Sequence, residues 1–250
     1  MKKLLLFILI SPAFIWGQLN SEMIKTLHIG DTKFKLILQY GLVGDDVLFI
    51  NVHEDELTSI ETVEEYAKER AVHFLRIAHE NTRRLKFNVK NKEFSVDPNR
   101  IYTRRGRRKT LKDGGRFSLK AAAKVKFFAA QILEYLEGRS VVIAMHNNTD
   151  VNYSIKSYVP GGDEAKNTED IHINPEMDPD DFIYTTDRDF FNQFKKMNLN
   201  VILQDNKKFV NDGSLSVYCG KKGIPYINIE AQKGHFEEQL ELIKSVMSIL

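Results

Sequence analysis

Four groups suited to metal or acid–base chemistry stand at the ends of apolar runs. Val47-Leu48-Phe49-Ile50, with Val52, has the β-branched and aromatic content of a buried strand, and His53 and Glu56 follow it directly. An imidazole and a carboxylate three residues apart can offer two zinc ligands from one turn. Glu54, Asp55 and Glu56 equally suit the acidic first turn of a helix, so this motif alone is open to both readings. A second apolar run, Val141-Val142-Ile143-Ala144-Met145, ends in His146. A third, Ile224-Pro225-Tyr226-Ile227-Asn228-Ile229, ends in Glu230. Two imidazoles and one carboxylate (His53, Glu56 and His146) make a catalytic zinc set with a fourth position left for water. Zinc brings the pKa of that water to about 7. Glu230 could take its proton and pass it to a leaving amine. Arg100, in Asp97-Pro98-Asn99-Arg100, can grip a carboxylate with two parallel hydrogen bonds or steady a developing oxyanion.

For these groups to meet, the strands that carry them must lie side by side. Apolar strands alternate with amphipathic stretches along the chain. The expected fold is therefore α/β, a single domain with a central, mostly parallel mixed sheet flanked by helices. Ligands of such sheets sit beyond the carboxyl ends of the strands, where all four groups fall. Phe34, Leu36 and Leu38 alternate with polar residues as in a half-buried strand. A helix is expected from Thr58. Residues 72–78 fit either helix or strand, and 83–95 read as two short strands about a turn at Lys90-Asn91-Lys92. Residues 104–109, RRGRRK, read as a solvated loop before Gly114-Gly115. Residues 118–137 read as a helix whose inward face holds Leu119, Ala122, Ala123, Phe127, Ala130, Ile132, Leu133 and Leu136, closed by Gly138. A long connection without clear periodicity runs from about 153 to 181. Helices are expected at 189–197 and after Ser214, with a short strand at 201–203 between them. An amphipathic helix closes the chain.

Composition narrows the class. The 250 residues are 42% hydrophobic and 28% charged, which is ordinary for a globular protein. The formal charge of +2 argues against a generally basic nucleic-acid binder, and the expected partner is a small substrate, with no nucleic acid. Lys2-Lys3, the apolar run Leu4 to Ile10, and the small residues that follow have the form of a secretory signal peptide. Cleavage is expected after Gly17, with Ala13 as the alternative. The mature domain then covers 18–250, is secreted or periplasmic, and has no stable membrane span, since no other apolar stretch approaches spanning length. Cys219 is the only cysteine, so no disulfide forms within the chain.

The ordered motifs His53-Glu54-Asp55-Glu56, Asp97-Pro98-Asn99-Arg100, His146 and Glu230 resemble the zinc metallocarboxypeptidase fold, and within it the succinylglutamate desuccinylase and aspartoacylase branch. The resemblance covers roughly residues 45–235. It implies one Zn2+ per chain on His53, Glu56 and His146, with Glu230 as general base and acid. It also implies Asn99 and Arg100 as substrate contacts, to which we add Asn147 beside His146. The branch carries Gly-Asn where this chain has Glu54-Asp55, which implies extra negative charge beside the metal and a different acyl preference. For the clamping tyrosine of the carboxypeptidases, Tyr153 is a candidate. The activity implied is hydrolysis of an amide in a peptide, an acyl-amino acid or a cell-wall peptide. Two rival readings remain: a non-catalytic metal or ligand binder of the same fold, and an anionic-surface binder that uses residues 104–109.

Overall fold

A computed structural model describes residues 21–41, 46–149 and 153–250. The expected signal peptide, 1–17, lies outside the described residues.

A nine-stranded mixed sheet runs through the molecule in the order β1-β2-β4-β3-β7-β11-β9-β10-β8. In chain order the strands are β1 (Ser21–Ile29), β2 (Thr32–Tyr40), β3 (Val47–Asn51), β4 (His73–Ala78), the separate hairpin β5 (Leu85–Val89) and β6 (Lys92–Val96), β7 (Val141–Asn148), β8 (Thr168–His172), β9 (Phe182–Thr185), β10 (Val201–Gln204) and β11 (Tyr226–Gln232). The helices are α1 (Leu57–Glu69), α2 (Arg104–Asp113), α3 (Leu119–Leu133), α4 (Arg188–Lys196), α5 (Leu215–Lys222) and α6 (Phe236–Met247). The central run β4-β3-β7-β11 is parallel. Antiparallel pairings lie toward the edges: β1 with β2, β2 with β4, β11 with β9, and β10 with β8.

The continuous apolar runs follow from this placement. A central parallel strand is covered on both faces, so every residue of β3 is buried. Alternate side chains then serve opposite cores. Leu48, Ile50, Val142 and Ala144 face a core closed by Leu111 of α2, Val125 and Phe128 of α3, and Leu215 of α5. Phe49, Ile143 and Met145 face the other core, with Val63 of α1, Phe194 of α4 and Ile243 of α6.

Three expectations change. Residues 104–109 are helical, as the start of α2, rather than a loop. The Thr103 hydroxyl caps the helix by accepting from Gly106 N at 3.0 Å, and arginine and lysine are good helix formers. A Cβ on Gly106 would meet Gly213 Cα at 2.3 Å, so glycine is what lets this turn lie flat on its neighbour. The helix at 119–133 forms, but it buries a different stripe. Ala121, Val125, Phe128, Ala129 and Ile132 point inward, while Leu119 is 80% exposed and Phe127 69%. The helix offers two apolar faces, and the sheet takes the one with Val125, Phe128 and Ile132. Finally, the connection from 153 to 181 contains β8, a mostly polar edge strand, and the short buried β9 follows it. A half-exposed edge strand lacks the apolar signal by which strands are read.

Candidate metal centre

β3 and β7 run parallel as neighbours, which brings the turn after β3 against the end of β7. His53, Glu56 and His146 are all buried, and each offers a ligand atom within 4.8 Å of the others. His53 Nδ1 lies 2.9 Å from Glu56 Oε1, and His146 Nδ1 lies 2.8 Å from Glu56 Oε2. The imidazole centroids are 5.2 Å apart. The corresponding nitrogen of each ring thus faces one carboxylate. That donor set, two imidazole nitrogens and a carboxylate, suits zinc, which takes nitrogen and oxygen ligands at about 2.0–2.2 Å.

Each member is held from outside. His53 Nε2 lies 2.9 Å from Asp97 Oδ1, a carboxylate partner that fixes the ring and leaves Nδ1 for the centre. Asp97 is itself held by Asn99 N at 2.8 Å and by the Thr110 hydroxyl on its own N–H, also at 2.8 Å. Glu56 accepts from Arg83 Nη1 at 2.7 Å and from Asn147 N at 3.2 Å, besides the two imidazoles. Ser59 Oγ donates to the Glu56 carbonyl at 2.7 Å and accepts from Asn51 of β3 at 2.8 Å. Gln239 of α6 donates to the His146 carbonyl at 2.9 Å.

Burial and charge set the proton affinities. Burial pushes the His53 imidazole down, but the carboxylates on its two nitrogens outweigh this and raise it to about 9. Burial pushes Glu56 up, yet His53 and His146 hold it well below the ordinary carboxylate value. A metal on His53 Nδ1 must therefore displace a firmly held proton. Glu230 stands beside His146 in the β11–β7 register. Burial, with a further contribution from Glu56, raises its pKa above the usual carboxylate value despite nearby His146. Asn228, two residues earlier on the same strand face, donates to Glu230 Oε1 at 3.0 Å.

Glu56, Arg83, Asn99, Arg100, His146 and Glu230 line one cavity of about 590 Å³. That is room for a small substrate. Arg100 donates to the Asn99 carbonyl at 2.9 Å, and its Nε lies 3.4 Å from Asp212. Tyr153, Tyr158 and Tyr184 form an aromatic wall of the cavity, and the Tyr153 and Tyr158 hydroxyls are 2.6 Å apart.

The two asparagines expected to contact substrate both line the cavity, and their amides also bond to neighbouring elements. Asn147 Oδ1 accepts from Ser59 N at 2.8 Å, and its Nδ2 donates to the Ala231 carbonyl and to Gln239. Asn99 Oδ1 accepts from Leu215 N at 3.1 Å, and its Nδ2 is 3.4 Å from His146 Nε2. Both brace the centre through these contacts. Glu54 also departs from expectation. Its carboxylate turns away from the centre to accept from the backbone N–H groups of His79 and Asn81, whereas Asp55 lines the cavity. Sequence reasoning missed Arg83 and Gln239, which carry no local signal. Asp97 stood inside the Asp-Pro-Asn-Arg motif, so its spacing could have suggested a carboxylate partner for a histidine.

No family model matches the chain, and no curated protein does. Solved structures do resemble it. A candidate metallopeptidase from Shewanella baltica aligns at 12% identity over 91% of this chain and 84% of that one, with a TM-score of 0.45. An aspartoacylase family protein from Mesorhizobium loti aligns at 13% identity over 91% of this chain and 65% of its own, TM-score 0.42. A metallo-carboxypeptidase from Burkholderia cenocepacia aligns at 11% identity over 90% of this chain and 62% of its own, TM-score 0.44. At such scores the reading of the site rests on its own residues.

Proposed function

We propose that the chain is an exported zinc-dependent hydrolase that cleaves an amide bond in a small, carboxylate-bearing substrate. The observation that carries this reading is the pair of Nδ1 atoms, one from each imidazole, facing the two oxygens of Glu56. His53, Glu56 and His146 would hold the ion, which supplies Lewis acidity and makes water acidic near neutral pH. Glu230, with its raised proton affinity, accepts a proton from the attacking water and delivers it to the leaving nitrogen. Arg83 and Arg100 are the two guanidinium groups lining the cavity, suited to an oxyanion and a substrate carboxylate. Peptides, N-acyl amino acids and cell-wall peptides share the required chemistry. Export is supported by the basic and apolar residues at the start of the chain.

Zinc content of the purified protein, beside His146→Ala, tests the centre. The expected result is one zinc per chain, lost in the variant. Hydrolysis of a panel of dipeptides and acyl-amino acids, with Glu230→Gln as the inactive control, tests the chemistry. Wild-type protein that takes up no zinc when it is supplied would sink the reading. Zinc binding without turnover of any panel member would favour a non-catalytic binder.

A further inference from the structure

The outward face of α3 is built like a helix that lies on a membrane. Leu119, Ala123, Phe127 and Ala130 recur at the spacing that places residues on one helical stripe, and all four are exposed. Leu119 and Phe127 are among the most exposed large apolar side chains of the described residues. The stripe is flanked by Lys126 on one side and by Lys120 and Lys124 on the other, also exposed. None of these lysines takes part in an ion pair among the described residues. No carboxylate occurs between Gly114 and Leu133.

The charge along this part of the chain is one-sided. From Arg104 to Ala130 the chain has ten lysines and arginines and one carboxylate, Asp113. That is a net +9 in a chain whose total is +2, leaving a net −7 for the rest. α2 packs against α3 and adds exposed Arg104, Arg105 and Arg108. Two arginines in the first turn of α2 oppose the helix dipole, and like charges three and four residues apart repel. Lys109–Asp113 is the only ion pair that α2 makes among the described residues.

We propose that the α3 face, with the cations of α2, docks on an anionic lipid bilayer. Leu119 and Phe127 would enter the boundary between headgroups and acyl chains, while the lysines reach the lipid phosphates. A nucleic-acid backbone would satisfy the lysines but leave Leu119 without a partner. No described helix is long and apolar enough to cross a membrane. This assignment is independent of the zinc chemistry.

Sedimentation of the full chain with vesicles tests it, comparing phosphatidylglycerol-containing vesicles with pure phosphatidylcholine. Every variant keeps the same N-terminal apolar run, so differences between variants report on α3. Wild type is expected to bind the anionic vesicles and lose binding at high salt. Lys120→Gln/Lys124→Gln/Lys126→Gln is expected to lower the partition coefficient by roughly a hundredfold at low salt. Leu119→Ser/Phe127→Ser is expected to lower it at least about tenfold. Both variants change exposed side chains, so zinc content and thermal midpoint should match wild type. Three results would overturn the proposal: no preference of wild type for anionic vesicles, equal binding by all three proteins, or loss in the lysine variant with full retention in Leu119→Ser/Phe127→Ser. The last would instead mark a purely electrostatic surface for a nucleic acid or an acidic protein.

Discussion

The buried His53–Glu56–His146 centre and the exposed α2–α3 surface both concentrate ionisable groups, but they resolve the resulting energies in opposite ways. In the centre the ligand side chains are buried, and their charges are answered by neighbouring groups. Glu56 alone accepts four hydrogen bonds, from His53, His146, Arg83 and the Asn147 backbone. Such groups must be satisfied, because an unpaired buried charge is costly. On α2–α3, water solvates the cations and dissolved salt screens them beyond about 8–10 Å, so all but Lys109 stand without a carboxylate partner among the described residues. Burial commits the first set to one another or to an ion that replaces their protons. Exposure leaves the second set available to an outside partner.

That contrast can be broken by experiment. The largest effect should come from the centre: Glu56→Gln removes one ligand and the counter-charge of His53 and Arg83. It should abolish stoichiometric zinc and destabilise the metal-stripped protein by about 3–5 kcal/mol, read by denaturant unfolding. An unchanged midpoint would show that the network carries little energy. Phe128→Ala, in the core beneath the exposed stripe, should cost about 3–5 kcal/mol, whereas Phe127→Ala next to it should stay within about 0.5 kcal/mol. Equal costs would mean that α3 is rotated from the orientation described.

Smaller effects sharpen the picture of the centre. Asp97→Asn weakens the partner on His53 Nε2 and should lower zinc affinity about 10–100-fold in a competition titration, with the site still able to fill. The pH dependence has a definite sign. His53 is raised from 6.5 to about 9, so the stability it contributes in the metal-stripped protein is full below pH 6.5. That contribution fades as pH rises toward 9. Zinc affinity should move the other way, rising about tenfold per pH unit over the same interval as one proton ceases to compete. A flat zinc affinity between pH 7 and 9 would show that His53 gives up no proton on binding.

Much of the centre was legible because its ligands end apolar runs. β3 and β7 are buried on both faces, so their composition announces them, and His53 and His146 stand where those runs stop. Glu230 is legible for the same reason at the end of β11. Arg83 was not, because it leaves a short connection before β5 and reaches Glu56 across 27 positions of sequence. Asn99, expected from its motif, and Asn147, added for its place beside His146, both line the cavity, and their amides also bond to Leu215, Ser59, Ala231 and Gln239. The partners of a polar side chain depend on which elements pack beside it, and sequence spacing does not report that. The same limit explains α3, where Phe127 and Phe128 are both apolar and only docking on the sheet decides between them.

What the sequence by itself determined are the local choices: strands where β-branched and aromatic residues run together, helices where apolar residues recur at helical period, and turns at Gly and Asn. Each depends on residues close along the chain. Tertiary structure alone decided the strand order that brings His53 to His146, the placement of Arg83 and Gln239 around the ligands, and the face of α3 turned to water. Those outcomes depend on how whole elements pack. Packing is settled by the fit of complete surfaces and the need to satisfy every buried polar group, and neither condition can be evaluated from one segment at a time.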